Sequence, residues 1–159
     1  MKGDKKVIEQ LNEALYLELG AVNQYWLHYR MLDNWGLKDM AKTWKKESIE
    51  EMVHADRFVD RILFLEGFPE VSRIGEIRIG KNVEEILFKD YEGEVQAVKG
   101  YNETMNLAQR LGDNGTREMI AEILKDEEAH VDWLETQREL LSRMGLPAYL
   151  QYLAGEFSE

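Results

Sequence analysis

Apolar residues recur every three to four positions along four long stretches of the chain, which is the spacing of one face of an α-helix. The stretches run from about residues 5 to 35, 38 to 66, 83 to 111 and 117 to 144. A shorter apolar stretch, 148–154, follows Pro147, a residue that fits the first turn of a helix. The first stretch shows the pattern at Val7, Ile8, Leu11, Leu15, Leu19, Val22 and Trp26. The chain is therefore predicted to be all-α, with five helices.

Polar capping residues and glycines mark the predicted helix ends. Asp4 and Asn82 precede the first and third helices, and Asn82 forms a capping-box pattern with Glu85. Thr116 is expected to cap the fourth helix after a turn at 112–115. The residues predicted to end helices are Gly36, Gly67, Gly145 and Gly155.

The connections between these helices indicate how they pack. Short first and third connections make two antiparallel hairpins, and two such hairpins pack into a four-helix bundle. Segment 67–82 is long enough to run back along the bundle, so the second and third helices are expected to run parallel. We expect one domain over 1–159: a four-helix bundle with a long crossover and a short C-terminal fifth helix.

The composition excludes several functional classes. The chain has no cysteine, which excludes disulfides, thiolate nucleophiles and cysteine-ligated zinc or iron–sulfur centres. Its net charge of −11 argues against a nucleic-acid partner and suits attraction of metal cations, although solubility alone would also explain it. No apolar run is long enough for a membrane span or a signal peptide, so we expect no membrane partner and a cytoplasmic protein.

Residues suited to binding metal recur at one offset. Each half of the chain contains a glutamate followed 33 residues later by Glu-x-x-His, and corresponding positions are 76 residues apart. Four carboxylates and two imidazoles suit a pair of iron or manganese ions. The six residues are Glu18, Glu51, His54, Glu94, Glu127 and His130.

The positions of these residues relative to the turns predict that they meet. Glu18 and Glu51 are almost equally distant from the turn at Gly36, and the second-half ligands are placed in the same way around Gly112. In an antiparallel hairpin such residues lie at the same height, so the six side chains are expected near mid-bundle. The alternative is a solvated glutamate-rich face with two incidental histidines, which the apolar neighbours disfavour.

The chain resembles the bacterioferritins, within the ferritin-like di-iron carboxylate proteins. The resemblance covers most of its length and is carried by MKGD at 1–4, NQYWLH at 23–28, ESIEEMVHAD at 47–56, RILFLEG at 61–67 and DEEAHVDWLET at 126–136. It implies a homo-oligomeric cage of 24 subunits, built from dimers, that oxidises Fe²⁺ with dioxygen or hydrogen peroxide and stores a ferric mineral. The six residues match the two-iron ferroxidase ligands, with Glu51 and Glu127 bridging.

The resemblance also implies a haem group. Met52 matches a methionine that ligates b-type haem across a two-fold interface, so that one haem is shared by two subunits. The haem would pass electrons inward to release iron, with a ferredoxin as a possible reductant. From spacing alone, Met52 points away from Glu51 and could equally be a flexible residue that fills space at an interface.

Tyr25 and Trp133 are candidates for electron transfer. Tyr25 lies seven residues from Glu18 and Trp133 three from His130, although core packing would explain both residues. Phe58 stands where some relatives have tyrosine, which removes one possible donor.

Several surface positions carry further expectations from the resemblance. His28 matches a position near the outer surface. Lys46 and Glu50 replace the His and Asp that form an inner iron site in some relatives, which puts that site in doubt. Four residues resemble the lining of a pore through which iron enters: Asn34, Glu66, Asp132 and Glu139.

Two rival functions are also compatible with the sequence. A di-iron oxidoreductase or peroxidase could share the ligands and store nothing, although the absence of cysteine excludes a rubredoxin-type tail. A non-catalytic cage subunit could accept iron from a partner chain. The short fifth helix favours a cage, because its family counterpart lines a four-fold channel.

Overall fold

A computed structural model describes residues 1–154 and places five helices along them: α1 Lys5–Asn34, α2 Lys38–Phe64, α3 Val83–Arg110, α4 Asn114–Met144 and α5 Leu146–Ala154. Helix α1 packs against α2 and α3 against α4, each pair joined by a short turn, while α1 also contacts α3. Helix α5 packs against α2 and α4. The predicted helix end at Gly155 lies outside the described residues.

Hydrogen bonds between α1 and α3 establish the helix directions. Tyr25 donates to Glu94, whereas Glu18 accepts from Tyr101, so residue numbers rise along α1 as they fall along α3. These two helices are therefore antiparallel. Because α2 also runs antiparallel to α1, helices α2 and α3 run parallel. The structure thus confirms the all-α bundle of two hairpins with a long crossover between them.

The N-termini of α1, α3 and α4 are capped by side chains. Asp4 accepts a hydrogen bond from the Lys6 N–H and Asn82 from the Glu85 N–H, as predicted. The Glu85 carboxylate accepts from the Lys81 N–H, one residue before the cap.

The predicted cap of α4 at Thr116 was wrong. The helix begins at Asn114 with Asp113 as its N-cap. The Asp113 carboxylate accepts from both the backbone N–H of Thr116, at 3.0 Å, and its hydroxyl, at 2.6 Å. Because Gly112 adopts a positive φ of 73°, the chain turns early enough for Asp113 to reach the first helical turn.

The apolar core consists of two clusters, one toward each end of the bundle. Trp26, although on the apolar pattern of the first helix, is exposed, and so is Phe64 at the end of α2. A layer of buried polar residues separates the two clusters. One cluster includes Val7, Leu11, Leu15, Phe58, Ile62 and Ile120, and the other includes Leu32, Met40, Trp44, Ile86, Leu87 and Leu134.

The crossover contacts α1 backbone to backbone. The Gly75 N–H donates to the Tyr16 carbonyl at 2.7 Å, and a Cβ placed on Gly20 would lie 2.9 Å from the Gly75 Cα. Only glycine at position 20 allows this approach without a shift. The crossover is thereby held against the middle of α1, close to Glu18.

A buried carboxylate, Asp90 on α3, connects three elements of the fold. It accepts hydrogen bonds from Gln24 Nε2 at 2.6 Å, Trp44 Nε1 at 2.6 Å and His28 Nδ1 at 2.9 Å. The Gly80 N–H donates to His28 Nε2 at 2.9 Å, which requires a neutral imidazole with its hydrogen on Nδ1. The expectation that His28 lies near the surface was therefore wrong. It is fully buried because it joins the crossover to the bundle.

Candidate metal centre

The six predicted ligands converge in the polar layer at mid-bundle. Helix α1 contributes Glu18, α3 contributes Glu94, and α2 and α4 each contribute a glutamate and a histidine one turn apart. All six side chains are at most 6% exposed. Burial follows from the helical period, which places each of them on the same face as the core residues.

The ligand atoms form two overlapping groups. In each group, one oxygen or nitrogen atom from each of four side chains lies within 4.8 Å of the others. Glu51 and Glu127 belong to both groups, which fits carboxylates placed between two ions. The first group adds Glu18 and His54, and the second adds Glu94 and His130.

Each histidine faces the carboxylates of its own group. His54 Nδ1 lies 2.9 Å from Glu127 Oε1, 3.6 Å from Glu18 Oε1 and 3.8 Å from Glu51 Oε2. His130 Nδ1 lies 3.1 Å from Glu94 Oε1. Both imidazoles therefore present Nδ1 to the centre.

Burial and crowding change the acidity of the carboxyl groups. Burial, followed by the charges of Glu18 and Glu94, raises the pKa of Glu51 well above its usual value. Burial and the neighbouring Glu94 likewise raise the pKa of Glu127. Burial acts against ionisation of Glu94 too, but contacts with Glu127 and His130 outweigh it and lower its pKa to about 2.

The two histidines are shifted in the opposite sense to ordinary buried imidazoles. Burial lowers the pKa of His54, but contacts with Glu127 and Glu18 outweigh it and raise the pKa to about 11. The pKa of His130 is raised because its contact with Glu94 outweighs burial. Protons on these groups partly balance the carboxylate charge, and metal cations would take their place.

Several buried atoms of the cluster have no hydrogen-bond partner among the described residues. They include Oε2 of Glu18, Glu94 and Glu127, and Nε2 of His130. A buried polar atom without a partner costs about 1 to 3 kcal/mol, so such a concentration is unfavourable unless another group bonds there. Oxygen and imidazole nitrogen are common ligands of iron, and divalent cations would both bond these atoms and neutralise the carboxylates. The residues therefore fit a pair of iron ions.

Further side chains orient the ligands from outside. Tyr25 donates a hydrogen bond to Glu94, and Tyr101 donates one to Glu18. His54 Nε2 lies 3.0 Å from Asp126 Oδ2, which fixes the ring that presents Nδ1 to the centre. Such outer contacts hold metal ligands in position and raise their affinity.

A cavity of about 350 Å³ lies beside the centre, between α1, α3 and the crossover. Its inner wall includes Glu18, Glu51 and Glu94, and its outer residues include the exposed Glu76 and Gly93. The lining of the cavity therefore extends from the surface of the bundle to three of the ligand carboxylates.

Comparison with known proteins agrees with this geometry. Residues 8–144 match the ferritin-like domain family. A bacterioferritin of Brucella melitensis biotype 1 is 50% identical over 159 residues, which cover 100% of this chain and 99% of that protein. The chain belongs to the bacterioferritin family. Further relatives are bacterioferritins of Rhodobacter capsulatus, 48% identical over 91% of this chain and 90% of theirs, and Mycobacterium avium, 39% identical over 94% of each. Bacterioferritins are ferritin-like iron-storage proteins.

The other predicted site residues occupy separate places. Met52, the expected haem ligand, is 59% exposed on α2, whereas its neighbour Glu51 is buried. Its side chain is thus available to a partner on the outside of the bundle. No helix within 1–154 combines the length and apolarity that crossing a membrane requires.

Tyr25 and Trp133 both lie close to the second group of ligands. The ring centroid of Tyr25 is 5.5 Å from that of His130, and the centroid of Trp133 is 6.2 Å from it. Beyond Trp133, the ring of Trp44 follows at 5.3 Å. Both candidates therefore lie beside the centre, and their role in electron transfer stays a prediction.

The predicted pore residues do not meet within one chain. All four are exposed: Asn34 is the last residue of α1, Glu66 lies just after α2 at the other end of the hairpin, and Asp132 and Glu139 lie on α4. A pore at these positions would need several subunits, so it stays a prediction.

The inner-surface iron site is also untested. Lys46 is exposed, while Glu50 lies close enough to His54 and Asp126 for the three to offer ligand atoms within 4.8 Å of one another. The positive charge of Lys46 would oppose a cation at the family's inner site.

Tyr101, like the Asp126 that contacts His54, is a residue near the centre that sequence reasoning missed. It is 1% exposed and bonds directly to Glu18. A signal was present, because Tyr101 follows Tyr25 by the same 76 residues that separate the ligand pairs.

Proposed function

We propose that the chain is a ferroxidase and iron-storage subunit that oxidises Fe²⁺ at the mid-bundle centre. The observation that supports this best is the pair of four-residue groups that share Glu51 and Glu127. Two Fe²⁺ ions bind, one in each group, and each supplies one electron to dioxygen or hydrogen peroxide. Fe²⁺ is the substrate, and the ferric product is stored.

The residues around the centre have separate roles in this reaction. Glu51 and Glu127 bridge the two positions, while Glu18 and Glu94 complete one position each. The buried carboxylates stabilise the higher charge of Fe³⁺ more than that of Fe²⁺, because Coulombic attraction grows with charge and is weakly screened in the interior. His54 supplies a nitrogen ligand that Asp126 keeps in orientation.

Storage requires a cage, which we infer from the family and from the surface of the chain. Large apolar side chains, including Trp26, Met52 and Phe68, are 59 to 80% exposed. Contacts between subunits in such an assembly would cover exposed side chains of this kind. The proposed assembly is a homo-oligomer of 24 chains built from dimers.

Assembly and iron retention test the storage function together. We expect native size-exclusion chromatography to give a species of the mass of a 24-subunit cage. After aerobic addition of Fe²⁺, that species should retain many more iron ions than the two per chain that fill the centres. A monomer or dimer that oxidises Fe²⁺ but retains only two ions per chain would instead identify an oxidoreductase that stores nothing. A cage that retains iron without rapid oxidation would identify a non-catalytic subunit.

Haem binding is a further part of the proposal, and it rests on Met52. The side chain of Met52 lies outside the bundle, and two copies of it, one from each subunit of a dimer, would hold one b-type haem. When bound, haem would carry electrons toward stored iron. A ferredoxin is the proposed reductant.

Replacement of Met52 tests the haem site. We expect Met52→Leu to abolish haem absorption in the visible spectrum after reconstitution with b-type haem, because leucine fills similar space but has no ligand atom. Assembly should be retained, because a swap of one flexible apolar side chain for another costs little, typically under about 1.5 kcal/mol. Met144→Leu, a partly exposed methionine at the end of α4, is the matched control. Haem retained by Met52→Leu would contradict the assignment.

A further inference from the structure

Two tyrosines follow the same repeat as the metal ligands. Tyr25 lies seven residues after Glu18, and Tyr101 lies seven residues after Glu94. Seven residues are about two helical turns, so each tyrosine lies on the same face as its glutamate. The two halves of the chain therefore repeat four chemical groups at the centre, and the fourth is a phenol.

Each tyrosine bonds to the glutamate of the other helix. Tyr25 donates to Glu94 and Tyr101 donates to Glu18. The phenols are buried, at 2% and 1% exposure. Glu18 belongs only to the first ligand group and Glu94 only to the second, so each of the two groups has its own phenol one hydrogen bond away.

We propose that Tyr101 is a redox-active residue that supplies one electron during dioxygen reduction, in parallel with Tyr25. This inference rests on the proposed ferroxidase function. Two Fe²⁺ ions supply only two of the four electrons that convert dioxygen into water. One electron from each tyrosine completes the number: O₂ + 2 Fe²⁺ + 2 TyrOH + 2 H⁺ gives 2 Fe³⁺ + 2 TyrO• + 2 H₂O.

The hydrogen bond to Glu18 provides a path for the proton. When a phenol loses an electron, its hydroxyl proton leaves, because a buried radical cation would be costly. Among the described residues, Glu18 Oε1 is the hydrogen-bond acceptor of the Tyr101 hydroxyl. The proton thus moves along the existing hydrogen bond, and the electron moves toward the iron bound by the same carboxylate.

The surroundings of the two phenols differ beyond the centre. The Tyr25 ring lies 5.5 Å from His130, and the rings of Trp133 and Trp44 follow in series. Once Tyr25 has been oxidised, an indole of this series can return an electron to it. The Tyr101 ring packs instead against Phe58, at 5.6 Å, within an apolar cluster. Because a phenylalanine ring does not donate an electron to a tyrosyl radical, the radical on Tyr101 should last longer than one on Tyr25.

The test compares three tyrosine-to-phenylalanine variants, each of which removes one hydroxyl and retains the ring. Tyr101→Phe and Tyr25→Phe change the two phenols at the centre. Tyr91→Phe is the matched control, because Tyr91 also donates to a glutamate, Glu135, at 3.1 Å but at the surface. Anaerobic protein carrying two Fe²⁺ per chain is mixed with dioxygen, freeze-quenched, and examined by electron paramagnetic resonance. Released hydrogen peroxide is measured in parallel, and titration with Co²⁺ reports whether two ions still bind.

We expect the unaltered protein and Tyr91→Phe to show a tyrosyl radical and release little peroxide. Tyr101→Phe should lose most of the persistent radical signal and release up to one H₂O₂ for every two Fe²⁺ oxidised, while still binding two Co²⁺. Tyr25→Phe should retain the persistent signal. An unchanged radical and peroxide yield in Tyr101→Phe would overturn the inference and leave the ferroxidase function intact. Loss of Co²⁺ binding in Tyr101→Phe would show a structural role and would also overturn it. Absence of Fe²⁺ oxidation in the unaltered protein would overturn the ferroxidase function and the inference together.

Discussion

Replacing Glu51 or Glu127 with alanine should abolish the rapid phase of Fe²⁺ oxidation. Each carboxylate belongs to both ligand groups, so its removal leaves each iron position with three of its four ligands. Loss of a group that only orients a ligand already costs roughly 10- to 100-fold in metal affinity or activity, and loss of a bridging ligand should cost more. Stopped-flow absorbance after addition of two Fe²⁺ per chain measures the effect.

Glu128→Ala is the control for this pair of variants. Glu128 follows Glu127 directly on α4, but its side chain is exposed and away from the centre. The Glu128→Ala variant should oxidise Fe²⁺ at the same rate as the unaltered protein. If Glu51→Ala and Glu127→Ala also oxidised Fe²⁺ at the unaltered rate, the mid-bundle centre would not be the ferroxidase site.

Replacing Asp90 with alanine should lower the thermal unfolding midpoint of the metal-free protein by roughly 10 °C. The change leaves the buried donors of Gln24, Trp44 and His28 without their acceptor. Each unsatisfied donor costs about 1 to 3 kcal/mol, so the free energy of unfolding should fall by about 3 kcal/mol or more. Differential scanning calorimetry at fixed protein concentration measures the midpoint, because assembly itself contributes to stability.

Asp60→Ala, at an exposed position of α2, controls for the loss of a carboxylate as such. Surface substitutions usually change stability by less than about 0.5 kcal/mol, so its midpoint should stay close to that of the unaltered protein. Equal midpoints for Asp90→Ala and the unaltered protein would show that the buried network does not hold the crossover in place.

The bundle and the ligand set were predictable because both depend on regular helical spacing. Glutamates and histidines at one offset, placed symmetrically about Gly36 and Gly112, must come to the same height once the hairpins form. The distances between His54 and its carboxylates agree with that expectation. Local pattern was sufficient because the helices carry the ligands rigidly.

Other features depended on contacts between distant parts of the chain. Nothing in the sequence near His28 shows that Gly80 and Asp90 will bond both of its ring nitrogens, 52 and 62 residues away. The choice of Asp113 over Thr116 as the cap depended on backbone geometry at Gly112, since both are good capping residues. Tyr101 differed, because its offset of 76 residues from Tyr25 is visible in the sequence, but its contact with Glu18 depends on how α1 and α3 pack.

The cavity beside the centre has a consequence for how oxidation and storage are connected. It lies between α1, α3 and the crossover of a single chain, so no neighbouring subunit is needed to form it. Fe²⁺ and dioxygen could therefore reach the carboxylates of an unassembled chain. Oxidation of Fe²⁺ would then be a property of the individual subunit, whereas the capacity to hold mineral would be a property of the assembled cage. A disassembled form would oxidise Fe²⁺ without storing the product.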